Sequence, residues 1–133
     1  PDNRLFAKKC KKNSITFVQL LSPTTSRLRM KKIVLASHEM LYLISMLSTT
    51  GGKLKVSPKA ILKNYSKIKK IDKSKNLVIG FGITSKNISS FKKADGCVVG
   101  SEICRKISHS IKNRQNPVTN VDNMVKKLRK KLS

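Results

Sequence analysis

Gly80-Phe81-Gly82-Ile83 and Ala94-Asp95-Gly96-Cys97-Val98-Val99-Gly100-Ser101 decide how this chain folds. Each stretch follows or contains a strand-like apolar run, and each ends in small residues just ahead of a helix-like run. Small residues let backbone N–H groups approach an anion closely, and a helix N-terminus adds the positive end of its dipole. The two stretches therefore read as two phosphate cradles in succession, at the C-terminal ends of consecutive strands.

Outward from these cradles the pattern alternates strand and helix. Residues 15–21 are mostly apolar between Asn13-Ser14 and Ser22-Pro23, which predicts a strand buried on both faces. Further strands are expected over 40–45, 77–79 and 97–99. Helices are expected over 3–12 behind an Asp2 cap, after Thr25 or Ser26, after Ser57-Pro58, over 85–93, from Ser101 to about Ile111, and after Thr119. Met30, Ile33 and Val34 share one helix face; Ile61, Tyr65 and Ile68 share another; Ile88 and Phe91 point inward. Strand–helix alternation throughout implies a parallel sheet, and successive cradles after the last two strands fit the phosphate site of a (β/α)8 barrel. Four strand–helix units in 133 residues are half of what such a barrel needs, typically about 250 residues. The expectation is thus α/β: residues 1–133 as one partial TIM-barrel domain, its last four βα units, with a basic C-terminal helix over 112–133 belonging to it. The chain starts at Pro1 without a methionine, in keeping with a fragment or a shortened gene product.

The run Phe17-Val18-Gln19-Leu20-Leu21-Ser22-Pro23-Thr24-Thr25, then Tyr42-Leu43-Ile44-Ser45, then Thr50-Gly51, then the two glycine motifs, resembles the C-terminal half of the tryptophan synthase alpha chain family in order and spacing. That resemblance implies retro-aldol cleavage of indole-3-glycerol phosphate to indole and glyceraldehyde 3-phosphate. It implies that Gly82, Gly100 and Ser101 contact the substrate phosphate, and that Gly51 is the loop glycine closing on it. Phe81 and Tyr42 correspond to aromatics beside the indole, and Thr50 to a mobile-loop threonine that orients a catalytic acid. Ordinary turn, packing and solvent roles remain open for these residues from the sequence. The cleavage needs a proton delivered to the indole ring and a base on the glycerol hydroxyl. The acid–base pair implied by the resemblance would precede Pro1, so no catalytic residue is assigned in this segment, which alone is expected to be inactive.

The resemblance further implies a tryptophan synthase beta subunit as partner in an alpha2-beta2 assembly. It implies no cofactor in this chain, pyridoxal phosphate belonging to the beta subunit, and a prokaryotic cytoplasm or plastid stroma as compartment. Two positions depart from the family pattern. Ser48 stands where the loop usually has glycine, and Glu102 where a small residue usually follows the serine. Glu102 is expected to lie near the phosphate and repel it.

The composition raises other classes. Thirty Lys and Arg against six Asp and Glu give a net charge of +24, which favours an anionic partner. The lysines are dispersed over most helices and aromatics are only 5% of the chain, which disfavours a nucleic-acid module; drift toward Lys, Ile, Asn and Ser accounts for the charge. A catalytically inactive half-barrel remnant is the other alternative. No apolar run approaches the about 18 residues that span a membrane. Cys10, Cys97 and Cys104 show no metal spacing and read as buried thiols, and His38 and His109 receive no chemistry.

Overall fold

A computed structural model describes residues 3–45 and 56–133. Along the chain run α1 (Asn3–Lys12), β1 (Gln19–Leu21), α2 (Arg27–Ala36), β2 (Met40–Ile44), α3 (Pro58–Ile71), β3 (Asn76–Gly80), a 3-10 turn (Ile88–Phe91), β4 (Gly96–Cys97), α4 (Ser101–Lys112) and α5 (Pro117–Leu132). The four strands form one sheet in the order β1-β2-β3-β4, and every pair is parallel. The α/β half-barrel alternation read from the sequence is the fold observed.

Register explains the core. Leu21, Leu43, Ile79 and Cys97 lie side by side across the sheet, and Gln19, Leu41 and Leu77 form the row below. The leucines and Ile79 in these rows are at most 1% exposed. They pack on Met30 and Val34 of α2, Ile61, Tyr65 and Ile68 of α3, and Ile88, Phe91 and Leu128. Each such side chain contributes about 1.5–3 kcal/mol on burial. The opposite row is Leu20, Tyr42, Val78 and Gly96. There Leu20 is 57% exposed, so β1 is buried on one face and not on both. The physical reason is coverage: among the described residues the helices pack on one side of the sheet, and a strand's side chains alternate sides.

Helix starts follow local chemistry. Ser26 and Ser57 each accept a hydrogen bond from the N–H three residues on, and Pro58 supplies a first-turn φ without needing a donor. Asn116, not Thr119, caps α5, its side chain accepting from the Val118 and Thr119 N–H groups. The helix expected over 85–93 is a single 3-10 turn, because the side chains and N–H groups before it are committed elsewhere. The Ser85 N–H donates to Glu102, and Asn87 accepts from the Thr84 N–H and donates to the Gly82 carbonyl. Cys10 is buried, but Cys97 is half-buried and Cys104 exposed, so only the first is the buried thiol expected.

Asp95, in the second glycine motif, ties α3 to β3. Its carboxylate accepts from the Leu77 N–H at 2.8 Å and from Lys69 Nζ at 2.9 Å, while its own N–H donates to the Tyr65 hydroxyl at 2.9 Å. Burial pushes this carboxyl up, but the Leu77 N–H, Lys69 and Tyr65 outweigh it and hold the pKa below the ordinary value. Burial drives the Tyr65 phenol up to about 12. A depressed carboxyl stabilises the fold above its unfolded pKa of about 3.9, and that contribution is lost as pH falls through the folded value. A raised phenol contributes fully below about 10 and loses its contribution as pH rises toward 12. Asp95→Ala, which strands the Leu77 N–H, is expected to cost about 1–3 kcal/mol at pH 7. Urea melts across pH should show the gap from the parent narrowing below about pH 4.

Candidate functional site

A cleft of about 460 Å³ opens beyond the C-terminal ends of β3 and β4, beside the middle of β2. β2 brings Tyr42 to it from the uncovered face of the sheet, the loop after β3 brings Phe81, Gly82, Ile83 and Thr84, and the start of α4 brings Gly100, Ser101 and Arg105. The two glycine motifs, separate in sequence, thus share one cavity.

The loop after β3 is shaped by two successive residues in the left-handed region, Phe81 at φ 68° and Gly82 at φ 70°. Glycine adopts this freely, whereas a phenylalanine there costs on the order of 1–3 kcal/mol. The strain is held in place from below. The Ser45 hydroxyl, fully buried, donates to the Phe81 carbonyl, and the Ser45 N–H donates to the Gly80 carbonyl at 2.8 Å. The bent loop leaves the Phe81 ring 55% exposed at the cleft, edge-on to Tyr42 with centroids 6.1 Å apart. Tyr42 in turn lies against Gly80, where an added Cβ would stand 1.7 Å from the phenol oxygen. Burial raises the Tyr42 pKa, the Phe81 backbone opposing it, so the phenol stays neutral and able to donate at physiological pH.

On the other wall, Gly100 precedes α4 with no side-chain cap, and the first intrahelical bond runs from the Cys104 N–H to the Gly100 carbonyl. The N–H groups of the first turn therefore lack helical acceptors and, with the dipole, favour an anion. A Cβ on Gly100 would meet no atom within 4 Å, so the space in front of this turn is open.

Glu102 corrects the sequence expectation. Its carboxylate does not line this cleft; it accepts the Ser85 N–H and hydroxyl, each at 2.6 Å. One residue on from Ser101 is about 100° around the helix, and a pair of good donors waits on that side. Ser45, Asn87, Ser85 and Arg105 carry no sequence signal of their own as site residues. Ser45 ends the quoted β2 motif, and Arg105 lies one helical turn from Ser101, the spacing that could have pointed to it.

Of the other expected residues, Tyr42, Phe81, Gly82, Gly100 and Ser101 meet at the cleft, while Ser48, Thr50 and Gly51 lie outside the described residues. Among the described residues lining the cleft there is no carboxylate and no imidazole. The arrangement suits a small anion bonded beside an aromatic surface; it offers no carboxylate or imidazole for proton transfer.

The profile of the family described as "Tryptophan synthase alpha chain" matches residues 2–133. A tryptophan synthase alpha chain of Pelagibacter ubique is 70% identical over all of this chain, which covers 50% of that protein. The chain spans about half the length of the curated relatives it matches. A crystal structure of the tryptophan synthase alpha chain from Legionella pneumophila superposes with a TM-score of 0.76 at 23% identity, over 97% of this chain and 47% of that one. A tryptophan synthase complex from Pyrococcus furiosus gives 0.71 at 22%, over 94% and 48%. At these identities the structural likeness concerns the fold.

Proposed function

The chain belongs to the tryptophan synthase alpha chain family, and on that premise we propose that it forms the phosphate- and indole-binding half of a site that cleaves indole-3-glycerol phosphate to indole and glyceraldehyde 3-phosphate. The observation that carries this reading is the meeting of Gly82, Gly100 and Ser101 in one cleft beside Phe81 and Tyr42. The substrate phosphate sits on the first-turn N–H groups of α4, the Gly82 N–H and the Ser101 hydroxyl. Its indole stacks along Phe81, whose strained backbone holds the ring out into the cleft.

In the cleavage, the bond between indole C3 and the glycerol carbon breaks. A proton goes to C3 as the glycerol hydroxyl loses its own and becomes the aldehyde. Among the described residues this cleft offers no carboxylate to either transfer, and in this reading the acid–base pair belongs to the other half of the family's chain. The segment by itself positions substrate without turning it over. No cofactor is required here. The partner is a tryptophan synthase beta subunit, which holds pyridoxal phosphate and receives the indole in an alpha2-beta2 assembly. In this reading the compartment is a prokaryotic cytoplasm or a plastid stroma.

The full chain, mixed with its beta subunit, is expected to release indole from indole-3-glycerol phosphate and to be inhibited by indolepropanol phosphate. Absence of indole release from the folded, full-length assembly would overturn this reading.

A further inference from the structure

Helix α4 turns two faces to two clefts. Ser101 and Arg105, four residues apart and therefore stacked on one face, line the cleft that holds Gly82 and Gly100. Glu102 and Lys106, also four apart, line a separate cleft against α5, with Ser85 and Lys131. Glu102 is fixed on that side by the Ser85 N–H and hydroxyl, and the Ser85 carbonyl accepts from Lys131 Nζ at 2.6 Å. The one acidic residue of the α4 first turn thus has its negative charge committed away from the cradle. Among the described residues, Arg105 is the only formally charged side chain lining the cradle cleft. Among the described residues its guanidinium has no carboxylate within ion-pairing distance.

We propose that Arg105 is a further phosphate-binding residue, which brings a full positive charge to the cradle and selects a dianionic phosphate over a neutral ligand. The inference rests on the phosphate reading above. Backbone N–H groups and a hydroxyl recognise the shape of an anion, but a guanidinium adds charge and up to two parallel donors. Glu102 is the accompanying positioning residue. By holding Ser85 it fixes the loop of Gly82 against the first turn of α4, and so sets the gap between the two cradles.

The test uses the full chain with its beta subunit, and compares indolepropanol phosphate with indolepropanol, the same molecule without its phosphate. Arg105→Gln is expected to weaken the phosphate ligand about tenfold or more and to raise KM for indole-3-glycerol phosphate similarly. Inhibition by indolepropanol should not change, and kcat should stay within about twofold, as for lost uniform binding. Arg105→Lys should recover most of the affinity. Glu102→Ala should weaken phosphate binding, because the loop is released; tighter binding would mean that Glu102 faces the anion. Equal phosphate affinity in Arg105→Gln and parent overturns the inference and leaves the phosphate reading standing. A parent enzyme with no preference for the phosphate over the alcohol overturns the reading itself.

Discussion

Gly100→Ala is expected to leave the fold intact and to weaken binding of indole-3-glycerol phosphate by about two orders of magnitude. The structural side of this follows from open space. Gly100 has φ −112°, which any L-residue adopts, and a Cβ there meets no atom within 4 Å. Alanine is a poorer helix cap than glycine, so a loss within about 1 kcal/mol is expected, small against total stability. The functional side follows from the proposed phosphate site. A methyl in front of the first turn of α4 keeps a phosphate oxygen from its N–H groups. Hydrogen bonds to a charged group contribute about 1.5–3 kcal/mol each, and losing two reaches a hundredfold. Thermal melts together with KM and inhibitor titrations check both halves. A variant that binds normally would remove Gly100 from the cradle.

Gly80→Ala should do the reverse and strike the fold itself. Its Cβ would fall 1.7 Å from the Tyr42 hydroxyl oxygen and 2.3 Å from the ring carbon that bears it. Neither can yield easily. Tyr42 sits in mid-strand, in register with Leu20 and Val78, and its ring is stacked edge-on against Phe81. Gly80 closes β3, and its carbonyl is held by the Ser45 N–H. Overpacking of this kind costs about 1–3 kcal/mol, and occasionally more. A fall in Tm on the order of 5–10 °C is expected, with activity reduced as Tyr42 is pushed into the cleft. An unchanged melt would show that the tyrosine has another rotamer available at no cost.

These two glycines show what was legible in the sequence. That Gly82, Gly100 and Ser101 meet at one cleft was legible because small residues at strand ends are a local signal of a backbone-lined cavity. The parallel order of the sheet was legible for a similar reason: β1, β2 and β4 are each followed by a helix of their own, with Ser57-Pro58 an unambiguous start. What remained hidden depends on partners distant in sequence. Gly80 reads as one more turn glycine until Tyr42 is seen lying on it. Glu102 reads as a repelling charge until Ser85 is seen donating two hydrogen bonds to its carboxylate. The helix expected over 85–93 shrank to one 3-10 turn because Ser85 and Asn87 bond outward to Glu102 and back to Gly82. The single-sided burial of β1 was not readable either, since an apolar run does not reveal how many faces of a sheet the helices cover.

The charge of the chain has a partial structural account. Asp72, Asp95 and Asp122 each pair with a lysine, and Glu102 is bonded to Ser85. Three of the six carboxylates are thus spent on ion pairs and a fourth on a loop. Among the described residues most lysines and arginines have no carboxylate partner, and Arg105 alone of them lines the cradle cleft.

The most direct test is an amide NMR titration of the full-length protein with indolepropanol phosphate, and with indolepropanol as control. The account predicts saturable shifts of the Gly82, Gly100 and Ser101 amides with the phosphate, little movement of them with the alcohol, and ring-current shifts near Phe81 with both. Unmoved cradle amides at saturating ligand, or shifts spread instead over the lysines of α4 and α5, would contradict it.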